Sequence, residues 1–133
     1  MIQITYVSTL KPGAPATTFD DVARAAERHN RRNGLSGLLL FDGGQFLQVL
    51  EGPDTRVLET LDRNLADHRH CDVTLLNQRE IACACFLGFA VLSCSQPGQG
   101  RDLARLLAPV MANADPATRI VLENFIAPAA WAA

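Results

Sequence analysis

Long apolar runs are missing from this 133-residue chain: nothing approaches the roughly eighteen uninterrupted apolar residues that a membrane-spanning helix requires. The first residues, MIQITYVS, lack a charged leader followed by an apolar stretch, so no signal peptide is expected and the protein is expected in the cytoplasm. A basic stripe is missing as well. The 12 Lys and Arg residues are scattered among 14 Asp and Glu for a net charge of −2, whereas a phosphate backbone requires clustered cations, so nucleic acid is not expected as a partner. Cysteine is sparse, and Cys71, Cys83, Cys85 and Cys94 are expected as reduced thiols in that compartment. His68, His70 and Cys71 have no fourth ligand at a suitable spacing, which argues against a metal site. A small enzyme using a Cys or His would need a nucleophile and base paired by motif, and none is present.

What is present fits one domain: the chain is long enough for a single core but not for two, and 48% hydrophobic with 20% charged residues is an ordinary globular balance. The stretch from His29 to Gly52, HNRRNGLSGLLLFDGGQFLQVLEG, joins the end of a helix to two strands. Leu35 to Phe41 and Gln45 to Leu50 are apolar runs separated by Asp42-Gly43-Gly44, whose glycines supply the positive φ of a tight connection; this is a β-hairpin. Side chains alternate along a strand, so Phe46, Gln48 and Leu50 share a face and the Gln48 amide lies between two large apolar groups. A bare buried amide costs about 1–3 kcal/mol, so Gln48 requires a ligand or a backbone partner.

Around this hairpin, Ile2, Ile4 and Tyr6 alternate with Gln3, Thr5 and Val7 as a strand, with Tyr6, the only tyrosine, on its apolar face. Thr17 or Thr18 can cap a first helix that carries Asp20 and Asp21 in its first turn and ends near Gly34. Phe19, Val22, Ala23 and Ala26 form its inner stripe, and Asn30 continues it, either capping local carbonyls or facing a ligand. Pro53 opens a second helix with Val57, Leu58, Leu61 and Leu65 inward, and Arg63 and Asp67 stand i, i+4 as an exposed ion pair. Val73 to Leu76 and Phe86 to Cys94 read as strands, and Cys83 and Cys85 as packing residues on one strand face. Beyond the turn-rich Gln96 to Gly100, Leu103, Leu106, Leu107, Val110 and Met111 mark a third helix. Asp115-Pro116 caps a fourth with Ile120, Val121, Leu122, Phe125 and Ile126.

The predicted fold is therefore α+β, a ferredoxin-like βαββαββ sandwich with two additional C-terminal helices. Residues 1–95 are expected to be the core and 96–133 a helical extension of the same domain, covering the sheet's other face or mediating self-association. In that topology the first and third strands are neighbours. Tyr6 and Gln48 then come within hydrogen-bond reach, with Asn30 facing them from the first helix.

The spacing of Asn30, Gly37, Phe46, Gln48, Leu50, Glu51 and Gly52 resembles the central motif of BLUF domains, flavin-binding blue-light sensors whose pattern ends in F-x-Q-x-L-E-G. Tyr6-Val7-Ser8 and Asp67-His68-Arg69-His70 resemble the family's first-strand Tyr and its D-x-R-H segment. The resemblance implies a photoreceptor holding FAD noncovalently, with FMN or riboflavin as alternatives, and turning over no substrate. It implies Tyr6 as photochemical electron and proton donor, Gln48 as the amide that rotates or tautomerises, and Asn30 on the ring edge. Arg63 would bind the polar edge or side chain of the flavin, steadied by Asp67. With no output domain in the sequence, the signal is expected to leave through a partner protein or a changed homo-oligomer. Phe86 matches the family, but Phe89 stands where it has Trp and Val91 where it has Met, positions associated with passing the hydrogen-bond change into the sheet. An interaction module with impaired or lost light signalling is the alternative.

Overall fold

A computed structural model describes residues 1–93 and 100–131. Its elements run β1 (Ile2–Leu10), α1 (Thr18–Arg32), β2 (Ser36–Phe41), β3 (Gln45–Gly52), α2 (Asp54–Leu65), β4 (His70–Glu80), β5 (Phe89–Ser93), α3 (Gly100–Ala112) and α4 (Pro116–Trp131). The strands form one sheet in the order β4-β1-β3-β2-β5. β1 is antiparallel to both β3 and β4, and β5 lies parallel to β2 beyond it.

The hairpin sets the register of the sheet. Asp42 Oδ1 accepts from the backbone N–H groups of Gly44 (2.9 Å) and Gln45 (2.6 Å), and Gly43 takes φ 103°, a conformation that L side chains rarely adopt. Gly37 then runs so close to β3 that a Cβ there would stand 1.9 Å from the Val49 carbonyl oxygen, so only glycine fits. With β2 seated in this way, the alternation of β3 sorts its side chains cleanly. Leu47 and Val49 face one layer with Leu38 and Leu40; Phe46, Gln48 and Leu50 face the other.

Leu107, Val110, Leu122 and Phe125 of α3 and α4 cover the first of these faces, completing a core with Leu38, Leu40, Leu47, Val49 and Phe86. Each such leucine, withdrawn fully from water, contributes roughly 1.5–3 kcal/mol, so this second layer supplies a large share of what stabilises the sheet. The Thr118 hydroxyl donates to the Leu76 carbonyl (3.0 Å), tying α4 to β4. Helices α1 and α2 cover the opposite face, where Ile2, Ile4, Tyr6, Leu35, Leu50 and Val57 pack together.

Several local expectations are corrected. The strand expected over Val73–Leu76 extends from His70 to Glu80, because pairing with β1 carries its polar residues into the sheet. The last strand begins at Phe89 instead of Phe86. Cys83 and Cys85 consequently lie exposed in the preceding loop and do not pack on a strand face. The cause is Glu51, whose carboxylate takes the backbone N–H groups of Cys85 and Phe86 and so withdraws them from sheet pairing. Leu58 and Leu65 are 40% and 53% exposed, since α2 turns Val57, Thr60 and Asn64 toward the sheet instead. Thr17 precedes α1 without a side-chain capping bond. Cys94 and the expected boundary at 95/96 lie outside the described residues.

Candidate functional site

The pairing of β1 with β3 sets Tyr6 opposite Gln48 on the face beneath α1 and α2. Both side chains are buried. The Tyr6 phenol donates to Gln48 Oε1, and from α2 the Asn64 amide donates to Tyr6 Oη at 2.6 Å while standing 3.4 Å from Gln48 Oε1. Burial pushes the Tyr6 phenol well above its ordinary value, with the Asn64 hydrogen bond pulling partly the other way and the Asp67 charge adding to the rise. Its proton therefore stays on oxygen through the physiological range. With its carbonyl turned toward Tyr6, Gln48 leaves Nε2 buried and without a protein partner.

Asn30 reaches the same region from α1. Its backbone carbonyl accepts from Leu35 N–H (2.9 Å), but neither Nδ2 nor Oδ1 of its buried side chain has a partner, so the amide caps nothing. Two buried amides without full partners would cost about 1–3 kcal/mol per bare group. They border a cleft between α1 and α2 whose walls include Val22, Ala25, Ala26, Thr60 and Asn64. Small apolar side chains on the α1 wall, polar ones on the α2 wall, and amide donors and an acceptor at the floor suit a flat ring whose edge carries both carbonyls and an N–H.

At the rim, the Arg63–Asp67 pair is not formed. α2 ends at Leu65, so Asp67 is off the helix and takes Arg69 through two guanidinium nitrogens (3.0 and 2.6 Å) and its backbone N–H (3.0 Å). Burial acts to raise the Asp67 carboxyl, but these bonds and the charge of Arg69 outweigh it and hold it below its ordinary value. Arg63 turns instead to His29 Nδ1, while His29 Nε2 meets Thr60 Oγ1 at 2.9 Å. Partial burial and the Arg63 charge lower the His29 pKa. Asn30, Gln48, Arg63 and Asp67 thus line one cleft, and Tyr6 is tied to it through its hydrogen bond to Gln48.

Residues 1–91 match the model of a protein family described as sensors of blue-light using FAD. The chain belongs to the BLUF family. It is 31% identical over 71 residues to the blue light- and temperature-regulated antirepressor BluF of Escherichia coli, covering 53% of this chain and 18% of that protein. Against the photoactivated adenylate cyclase subunit beta of Euglena gracilis it is 34% identical over 74 residues, 56% of this chain and 9% of that one. The chain therefore spans less than a fifth of these curated relatives. The Klebsiella pneumoniae BlrP1 structure with FMN and cyclic diGMP superposes with TM-score 0.75 at 28% identity, over 95% of this chain and 34% of that chain. BlrB, a BLUF protein in its dark state, shares the fold at TM-score 0.71 over 97% of this chain and 96% of its own. Among the described residues no helix is long and apolar enough to cross a membrane.

The orphaned amides of Asn30 and Gln48 fit the flavin of this BLUF domain. Sequence reasoning missed Asn64 and His29 at this site. Asn64 was within reach: it follows Val57 by two helical turns, on the inward stripe of α2.

Proposed function

We propose that this BLUF domain is a blue-light receptor whose switch is the Tyr6–Gln48 pair, with Asn30 and Arg63 holding the flavin and Asp67 ordering the rim through Arg69. The observation that carries the reading is one buried hydrogen bond with one orphan beside it: Tyr6 donates to Gln48 Oε1, and Gln48 Nε2 has no protein partner. When bound, the flavin supplies the blue-light absorption and, excited, an acceptor for one electron and one proton. Tyr6 is the donor suited to it, since its buried phenol keeps its proton and directs it at the Gln48 carbonyl oxygen. Gln48 is the mobile part, because a primary amide offers a donor at one end and an acceptor at the other, and exchanging them by rotation or tautomerisation rewires both neighbours. Asn30 presents a buried donor and acceptor to the ring edge.

On this reading the protein turns over no substrate and works in the cytoplasm. Residues 1–95 form the flavin-binding core, with 96–133 as its helical extension. The signal passes to a partner protein or through a homo-oligomer, for which fully exposed Leu87 and well-exposed Ile120 offer apolar surface. The test is the flavin absorption spectrum of the purified protein before and after blue light. A small reversible red shift is expected; bound flavin with no shift would leave an interaction module on a BLUF fold and overturn the switch.

A further inference from the structure

The Tyr6 oxygen has one proton to give and two lone pairs to fill, and it meets two amides. Asn64 Nδ2, at 2.6 Å, can only donate, so Tyr6 Oη accepts there and must direct its own proton to Gln48 Oε1. Asn64 Nδ2 also stands 3.4 Å from Gln48 Oε1, which its second hydrogen can reach. One α2 side chain therefore touches both members of the pair and supports one orientation of the Gln48 amide, carbonyl toward Tyr6 and nitrogen toward the cleft.

We propose that Asn64 is a positioning residue that selects the dark orientation of Gln48 and speeds its return after light. The inference rests on the light-switch reading. Any state in which Gln48 turns nitrogen or a hydroxyl toward Tyr6 brings a donor against the Asn64 donor. With a Gln48 donor where its carbonyl stood, 3.4 Å from Nδ2, two like dipoles oppose each other, and the second Nδ2 hydrogen loses its acceptor. That state is raised in free energy relative to the dark one, so removing the Asn64 donor lengthens its lifetime. Leucine at this position keeps the size and suits a helix, while removing both hydrogens. One hydrogen bond in a buried site corresponds to a rate change of about threefold to tenfold.

Dark recovery of the red shift in flavin-loaded Asn64→Leu should be slower than in the unaltered protein by about that factor, with the size of the shift retained. Recovery at the unaltered rate, or faster, would overturn the proposal. A light-independent measurement separates its failure from failure of the switch itself. Because Tyr6 is the only tyrosine, the tyrosine C–O stretch of the protein in the dark belongs to this phenol alone. The band should move in Asn64→Leu from a phenol that both donates and accepts to one that only donates. In Asn64→Asp, where a carboxylate replaces the donor and competes for the Tyr6 proton, it should move further toward the strong-donor position. A band unchanged in both variants would overturn the Asn64 contact whatever the light response. Bands that move in a protein without any red shift would refute the switch while retaining the contact, and with no recovery to speed, the proposed role of Asn64 falls with it.

Discussion

Tyr6, Gln48 and Asn30 are polar groups in places where the surrounding residues are apolar, and each lacks a complete set of protein partners or depends on another amide. Asn30→Ala removes a buried donor and acceptor and should weaken flavin retention by about 1–3 kcal/mol, measured by titrating flavin into the apoprotein. Unchanged affinity would mean that the Asn30 amide faces something else. Tyr6 allows an independent check of its burial. A free phenol ionises near its ordinary value of 10.0, but the folded pKa is raised, so no phenolate absorbance should appear as the pH passes 10.0 in the native protein. The unfolded chain loses that proton first, so the contribution of Tyr6 to stability is intact below 10.0 and is lost as pH rises toward the folded value. Phenolate appearing at 10.0 before unfolding would show a solvated Tyr6.

At the level of elements, Glu51 joins β3 to the loop before β5. Its buried carboxylate accepts from Gln3 Nε2 (2.9 Å), Ser36 Oγ (2.8 Å) and the backbone N–H groups of Cys85 (3.0 Å) and Phe86 (2.8 Å). Glu51→Ala strips four donors of their acceptor, and a loss of at least about 2–3 kcal/mol is expected in denaturant unfolding, together with lost hydrogen-exchange protection at Cys85 and Phe86. Protection retained at those amides would contradict the clamp. Phe89, half-buried against the cluster that contains Tyr6, has no N–H to exchange with the Gln48 amide. Phe89→Ala should therefore leave the flavin carbonyl shift in light-minus-dark infrared spectra largely intact, and loss of that shift with flavin still bound would show an active Phe89. The hairpin was legible in the sequence because period-two alternation and the Asp42-Gly43-Gly44 turn are local signals, and the Tyr6–Gln48 juxtaposition followed once the βαββαββ topology set the first strand beside the third. The position of the 81–88 loop was not, because it depends on a carboxylate more than thirty residues away. The Arg63–Asp67 pair failed for a related reason: i, i+4 spacing carries meaning only while the helix continues, and α2 stops at Leu65.

For the whole molecule, the two faces of one sheet have separate tasks. Leu107, Val110, Leu122 and Phe125 complete an apolar core on one side, while the α1–α2 side holds the amide-lined cleft. Acid should act mainly on the cleft side. Burial and the Arg63 charge lower His29, and burial, partly offset by the Asp67 charge, lowers His70, whose Nδ1 meets Ser8 Oγ at 2.9 Å. The unfolded chain then takes up protons near 6.5 while the folded protein resists them, so stability is full above 6.5 and falls as the pH drops through it. Asp67, held below 3.8 in the fold, adds a further loss only below 3.8. Thermal midpoints that stay level across 6.5 would contradict the two histidine assignments. The proposed switch has one phenol and one amide convert light into a changed hydrogen-bond network. Its most direct test is the light-minus-dark absorption spectrum of Tyr6→Phe with flavin bound, since phenylalanine keeps the ring and removes only the hydroxyl that Gln48 and Asn64 share. Retained flavin with no red shift is the predicted result; a red shift of normal size would contradict it.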